Sequence, residues 1–218
     1  LDFGEAELPD GGANLVWKAV RALVSDRPPL DIVLDKRIAV AAGLGGGSSD
    51  AAAALVAVTD LLGLPAAAPS KVAGQVGADV PFFLTGGTAW MEGYGEVVSA
   101  ISDVGGFSVA VVVPPFELST PDAYSRWDEL SCPTGPGMEG TSLPPTLRGY
   151  GPLRNDLTPA ALSLRPELGD WMTDLSNRWG RPVAMSGSGP AMFAYFADFD
   201  EAESAIGAAP KGVRGTKA

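Results

Sequence analysis

The chain has 218 residues, 46% of them hydrophobic and 19% charged, enough for one domain or two small ones around a real core. A formal charge of −11 argues against a general nucleic-acid binder, which needs a basic face. No apolar run reaches the length of a membrane span, and Val109–Phe116 is strand-length and holds Pro114 and Pro115. The sequence has no histidine, which excludes histidine metal sites, Ser-His-Asp triads and imidazole bases, and the lone Cys132 permits no disulfide within the chain.

In chain order, Leu15, Val16, Ala19, Val20 and Leu23 fall on one face of an amphipathic helix over residues 14–23. Residues 31–35 and 37–42 read as short strands flanking a turn. A glycine run then opens a helix from about Asp50 to Leu62, stopped by Gly63 and Pro65. Residues 70–76 form another short helix, and the stretch from Gly77 to Leu84 reads as a turn and strand. Residues 88–92 and 96–100 alternate around Gly93 and Gly95 as a hairpin. The β-branched run 107–113 is a buried strand, 120–130 a helix, and the Gly- and Pro-rich 131–152 a loop. Helices over 157–164 and 166–179, strands over 183–185 and 191–196 around a second glycine turn, and a helix over 200–208 complete the chain. Strands and helices mix without a regular βαβ beat, which predicts an α+β layout with antiparallel pairs.

The most informative segment is Gly43-Leu44-Gly45-Gly46-Gly47-Ser48-Ser49-Asp50, followed at once by Ala51-Ala52-Ala53-Ala54-Leu55-Val56. Glycine lets backbone N–H groups crowd around an anion, and a helix N-terminus adds unpaired donors and a favourable dipole. The segment therefore reads as a phosphate cradle. Glycine and serine fill all but one of positions 43–49, more than a helix cap requires. A P-loop would end in Gly-Lys-Ser/Thr, and no lysine follows these glycines. A dinucleotide fingerprint needs a glycine where Ser48 stands, and its acid would be Asp60, inside the helix. The protein-kinase glycine loop joins two strands, whereas this one opens a helix.

Taken together, Lys36-Arg37-Ile38-Ala39-Val40-Ala41-Ala42 with the glycine run, Gly77-Ala78-Asp79-Val80-Pro81-Phe82-Phe83 and Met185-Ser186-Gly187-Ser188-Gly189-Pro190 resemble the motifs of the GHMP small-molecule kinases. Leu118-Ser119-Thr120-Pro121 and Asn155-Asp156-Leu157 fall in the family's order. The resemblance runs nearly the whole length. It implies a two-domain α+β fold: an incomplete N-terminal domain like domain 2 of ribosomal protein S5 over 1–104, and a ferredoxin-like C-terminal domain over 105–218.

The resemblance also implies chemistry. ATP and Mg2+ are the expected cofactors, with the triphosphate along Ala39, Val40, Ala41, Ala42, Gly43, Leu44, Gly45, Gly46, Gly47, Ser48 and Ser49. Asp79 matches the family's proton acceptor from the substrate hydroxyl, although an Asp closely following a glycine, as here after Gly77-Ala78, is also ordinary turn chemistry. Thr120 and Tyr124 match a cytidine pocket, with Tyr124 stacking on the base or, as the bland alternative, facing the core. Ser186, Gly187, Ser188 and Gly189 match a turn near the phosphates. The metal ligand is left open.

The wording of these motifs points to the branch that phosphorylates the 2-hydroxyl of a cytidyl-diphosphate sugar alcohol in non-mevalonate isoprenoid synthesis. A homoserine- or mevalonate-type kinase, or a non-catalytic nucleotide-binding remnant, stands as the alternative. The expected partners are a small cytidyl substrate and ATP, without nucleic acid or membrane, in the cytoplasm or in a plastid. Ala39 and Ala41 depart from the family's usual proline and glycine. The chain opens Leu1-Asp2-Phe3-Gly4, after the point where the family carries a catalytic lysine strand and a Gly-Tyr-His segment. The expectation from that is a chain inactive, or nearly so, by itself.

Overall fold

The computed structural model describes residues 14–24 and 30–217; the opening Leu1-Asp2-Phe3-Gly4 lies outside the described residues. The described chain divides into two compact units, one of residues 14–24, 30–40 and 45–103, the other of residues 41–44 and 104–217.

In the first unit, helix α1 (Leu15–Leu23) is capped by the Asn14 side chain, which accepts from the Val16 N–H at 2.9 Å. It buries Val16, Ala19 and Val20, the face expected from its periodicity. Helix α2 (Gly46–Leu61) packs on α1 through alanines. Ala19, Ala51, Ala52 and Leu55 share a core with Ala73, Val76 and Val80, contributed by α3 (Ala68–Val76) and α4 (Val80–Thr85). Small side chains let these short helices approach closely while fully buried Leu55 fills the centre. The Lys18 ammonium donates to the Val76 carbonyl at 2.8 Å and so closes the C-terminal end of α3. Strands β1 (Thr88–Glu92) and β2 (Val97–Ile101) form the expected hairpin, in register from Thr88↔Ile101 to Glu92↔Val97.

Three expectations fail in this unit. Residues 31–42 form no strand: no described strand pairs with them, and a lone extended segment has no ladder to hold it. Val33 is 95% exposed accordingly. Residues 80–85 are helical rather than extended, because Pro81 sits in the first turn, where its missing N–H costs nothing. Finally, α2 begins at Gly46, four residues before Asp50.

The second unit is a βαββαβ arrangement. Strand β3 (Ser108–Val113) leads through α5 (Thr120–Glu129), a two-stranded pair β4 (Gly137–Met138) and β5 (Leu153–Arg154), α6 (Thr158–Leu164) and α7 (Glu167–Trp179). Strands β6 (Ala184–Met185) and β7 (Met192–Phe196), helix α8 (Phe199–Gly207) and strand β8 (Arg214–Lys217) follow. The sheet order is β6-β7-β3-β8, with every neighbouring pair antiparallel. That is the strand order of a ferredoxin-like domain. Ala110, Val112, Met192, Ala194 and Phe196 alternate onto the face that packs against Leu168, Leu175 and Trp179 of α7 and Ala202 and Ala205 of α8. Trp179 donates its indole N–H to the Ala205 carbonyl at 2.8 Å, which satisfies its one buried polar atom.

The 131–152 stretch is irregular apart from β4 and two 3-10 turns at Gly140–Ser142 and Pro145–Tyr150. Among the described residues no helix is long and apolar enough to cross a membrane.

Candidate active site

The glycine run is partly loop and partly helix. Gly43 and Gly45 adopt left-handed backbone with φ of 74° and 67°, and Gly45 is the residue before the first turn of α2. The first bond of the helix runs from Ser49 N–H to the Gly45 carbonyl at 2.9 Å. The N–H groups of Gly46, Gly47 and Ser48 precede it and have no acceptor within the helix. Among the described residues no side chain caps this end. Three N–H groups without a helical acceptor, the positive end of a sixteen-residue helix and no Cβ on two of the three residues are suited to seat an anion. The Ser49 hydroxyl donates back to the Gly46 carbonyl at 2.9 Å, which tightens the same turn.

Lys36 completes this end of α2. Its ammonium is ion-paired with Asp50, and both side chains are largely buried. A Cβ placed on Gly46 would come within 3.0 Å of the Lys36 Nζ, so the cation stands directly over the first helical residue. Asp50 is thus a partner for Lys36 rather than the start of the helix. Sequence reasoning assigned no role to Lys36; the available signal was a lysine placed just before a glycine run in an acidic chain.

Asp79 occupies the position before the first turn of α4 and makes no capping bond. Its side chain is exposed, and among the described residues it makes no hydrogen bond or ion pair. Its backbone is held firmly. The Phe83 N–H bonds the Asp79 carbonyl, and Gly95 of the hairpin lies so close that a Cβ there would stand 2.6 Å from the Ala78 carbonyl oxygen. One turn along α4, the Phe83 ring covers Gly45, where a Cβ would meet its Cζ at 2.8 Å. A single short helix therefore ties Asp79 to the mouth of the anion seat.

In the second unit, residues 41–44 are held by the turn after β6. The Ser186 hydroxyl donates to the Gly43 carbonyl at 2.9 Å, and the Ala191 N–H donates to the Ala42 carbonyl at 3.0 Å. Gly43 is pressed against this turn. A Cβ on it would overlap the Ser186 carbonyl oxygen and stand 2.8 Å from the Gly189 nitrogen. Gly187 (φ 54°) and Gly189 (φ 82°) give the turn its tight shape. The Ser188 hydroxyl, 6% exposed as a residue, lies 2.7 Å from the Thr120 hydroxyl. Thr120 opens α5, whose N-cap is Ser119. Tyr124 is one turn further and 54% exposed, so the core-facing alternative for its ring does not hold. Ala39 and Ala42 are buried, whereas Ala41 is exposed with φ of 51°, in the left-handed region that favours glycine.

Asn155, which the sequence only placed in order, grips the same turn. Among the described residues, two titrations are displaced from their ordinary values. Hydrogen bonding to Asp35 raises exposed Arg37, and burial raises Tyr195. Among the described residues no three Cys, Asp or Glu side chains gather as a metal site.

Residues 14–87 match the family described as GHMP kinases N terminal domain. The chain is 38% identical over 208 residues to 4-diphosphocytidyl-2-C-methyl-D-erythritol kinase of Geobacter sulfurreducens, covering 91% of this chain and 73% of that protein. It is 40% identical over 205 residues to the enzyme of that name from Corynebacterium efficiens, covering 87% of this chain and 64% of that protein. A crystal structure of 4-(cytidine 5'-diphospho)-2C-methyl-D-erythritol kinase superposes with a TM-score of 0.73 at 30% identity, covering 97% of this chain and 79% of that one. Homoserine kinase from Cytophaga hutchinsonii, at 19% identity and a TM-score of 0.58 over 84% of this chain and 67% of its own, shares the fold. By sequence and by fold, the chain belongs to the GHMP kinases, among the 4-diphosphocytidyl-2-C-methyl-D-erythritol kinases.

Proposed function

We propose that the protein carrying this chain transfers the γ-phosphoryl group of ATP to the 2-hydroxyl of 4-diphosphocytidyl-2-C-methyl-D-erythritol in the non-mevalonate isoprenoid pathway. The observation that carries this reading is the 38% identity over 208 residues to a kinase of that name, supported by a glycine run whose helix opens without a side-chain cap. The triphosphate takes the free N–H groups at Gly46–Ser48, with the entry through Ala39, Val40, Ala41, Ala42, Gly43, Leu44 and Gly45 shaping the approach and Ser49 tightening the turn. Lys36, held by Asp50, adds positive charge where the phosphates lie.

The substrate oxygen attacks the γ-phosphorus in line, the bond to the β–γ bridging oxygen breaks, and ADP leaves. The proton of the attacking hydroxyl passes to a carboxylate oxygen of Asp79, which is exposed and, among the described residues, makes no hydrogen bond or ion pair. Thr120 and Tyr124 hold the cytidine, the exposed Tyr124 ring offering a face for stacking. The Ser186–Gly189 turn keeps the loop entry in shape.

Magnesium fits this chain as an ion brought in on the triphosphate, since it needs few protein carboxylates and keeps several waters. When bound it offsets the charge that builds on the phosphate oxygens. The two-domain reading over 1–104 and 105–218, a cytoplasmic location and the absence of a nucleic-acid partner belong to the same proposal. An ADP-release assay on the gene product tests it. Turnover is expected with the cytidyl substrate and not with homoserine or mevalonate, and the reverse preference would refute the assignment.

A further inference from the structure

We propose that Asn155 is a positioning residue for ATP, acting on the triphosphate loop through the Ser186–Gly189 turn. The inference rests on the kinase reading above, and all the contacts that carry it lie within the second unit. Both hydrogens of its side-chain amide are spent on that turn: Nδ2 donates to the Met185 carbonyl at 2.9 Å and to the Gly187 carbonyl at 2.7 Å. Its Oδ1 accepts from the Leu157 N–H at 3.0 Å, and its backbone carbonyl accepts from the Thr158 N–H at 3.1 Å. Asn155 thus joins the β5–α6 corner to the glycine turn with every side-chain bond oriented.

Gly187 is then gripped from two sides. Its carbonyl takes the Asn155 amide, while its Cα lies against Gly43, where a Cβ would come 2.8 Å from the Gly43 carbonyl oxygen. The neighbouring Ser186 hydroxyl bonds that same oxygen. From Gly43 the chain has only Leu44 and Gly45 to cross before the free N–H groups of α2. A shift of the turn therefore moves the residues that lead into the anion seat. The corner is itself anchored: Asp156 accepts from the Gly135 N–H at 2.9 Å and pairs with Arg154. No other amide side chain in the described residues donates to both carbonyls, and a carboxylate of the same shape has no hydrogen to donate to them.

The test uses the gene product that carries this chain, with Asn155→Ala and Asn155→Asp. The Asp variant keeps the acceptor for the Leu157 N–H and so protects the fold. Three readouts are taken: the dissociation constant for a non-hydrolysable ATP analogue, the KM values for ATP and for the cytidyl alcohol, and amide hydrogen exchange over residues 185–191.

Both variants are expected to bind the analogue about tenfold more weakly, the scale of one or two lost hydrogen bonds. The KM for ATP should rise by more than that for the alcohol, whose proposed pocket meets the same turn through Thr120, and exchange over 185–191 should speed up. A merely structural role would lower the melting temperature without separating the two KM values. Folded variants that bind the analogue within about twofold of a binding parent overturn the role of Asn155 and leave the kinase reading standing. A parent that fails to bind the analogue removes the kinase reading and this inference with it.

Discussion

The Thr120 hydroxyl lies 2.7 Å from the buried Ser188 hydroxyl, so the first residue of the helix proposed to hold the cytidine is hydrogen-bonded to the turn that supports the proposed phosphate loop. Thr120→Val keeps the shape and removes the bond, leaving the Ser188 hydroxyl without this partner. We expect a loss of about 1–3 kcal/mol, or a fall of several degrees in melting temperature, measured by calorimetry. Thr120→Ser should behave like the parent. Equal melting of the Val variant and the parent would show that the pair contributes nothing.

Asp79→Asn keeps the size of the side chain and removes its capacity to accept a proton. Turnover is expected to fall by about 10²–10⁴, with the affinity for ATP unchanged within a few-fold. Steady-state kinetics decides this. A variant that keeps a tenth or more of the parent's kcat rules Asp79 out as the base.

Two glycines of one run should change stability in opposite directions. Gly43 has φ of 74° and stands against the Ser186 carbonyl, so Gly43→Ala adds left-handed strain of about 1–2 kcal/mol to a backbone clash. It should both unfold earlier and lose ATP. Gly47 lies in the first turn of α2, and its Cβ would meet only the Leu15 Cδ1 at 3.4 Å, an ordinary contact. Gly47→Ala should raise stability by up to about 1 kcal/mol while weakening ATP, because the new methyl sits beside the proposed triphosphate position. Denaturant titration with and without ATP separates the two effects.

Ala41 bears φ of 51° in an exposed position. Ala41→Gly removes the left-handed strain of about 1–2 kcal/mol, against an unfolded-state entropy cost of about 0.4–1 kcal/mol. A net gain of roughly 0.5–1 kcal/mol in urea unfolding is expected from those two magnitudes; a loss would mean that the strain is absent.

Tyr195 packs edge-on against Phe107 and Phe193, and burial raises its phenol above its ordinary value of 10.0. The folded state therefore favours the neutral phenol. Its contribution is complete below pH 10.0 and is lost as the pH climbs from there through the folded value. Melting temperatures taken from pH 9 to pH 11 should fall less steeply for Tyr195→Phe than for the parent. Parallel curves would remove Tyr195 as the cause.

Much of this architecture was legible in the sequence because periodicity reports burial. The face of α1, the β1–β2 hairpin and the alternating β7 follow directly from apolar spacing. Where partners decide, the pattern misled. Residues 31–42 have strand composition and no ladder, while Val80–Thr85 has strand-like residues and a proline that suits a first helical turn. Arg214–Lys217 gave no signal because an edge strand bonded on one side needs no apolar alternation. The glycine run was readable as an anion seat, but the start of its helix at Gly46 was not, since the glycines mask propensity. Lys36 and Asn155 act through long-range partners, Asp50 and the 185–187 carbonyls, which no local pattern encodes.

The most direct measurement is phosphorus NMR of the reaction of the gene product with ATP, magnesium and 4-diphosphocytidyl-2-C-methyl-D-erythritol. A new phosphomonoester on the 2-hydroxyl, formed in step with ADP and abolished in Asp79→Asn, is the predicted result. Release of inorganic phosphate without a new ester, or an ester formed on homoserine instead, would contradict the account.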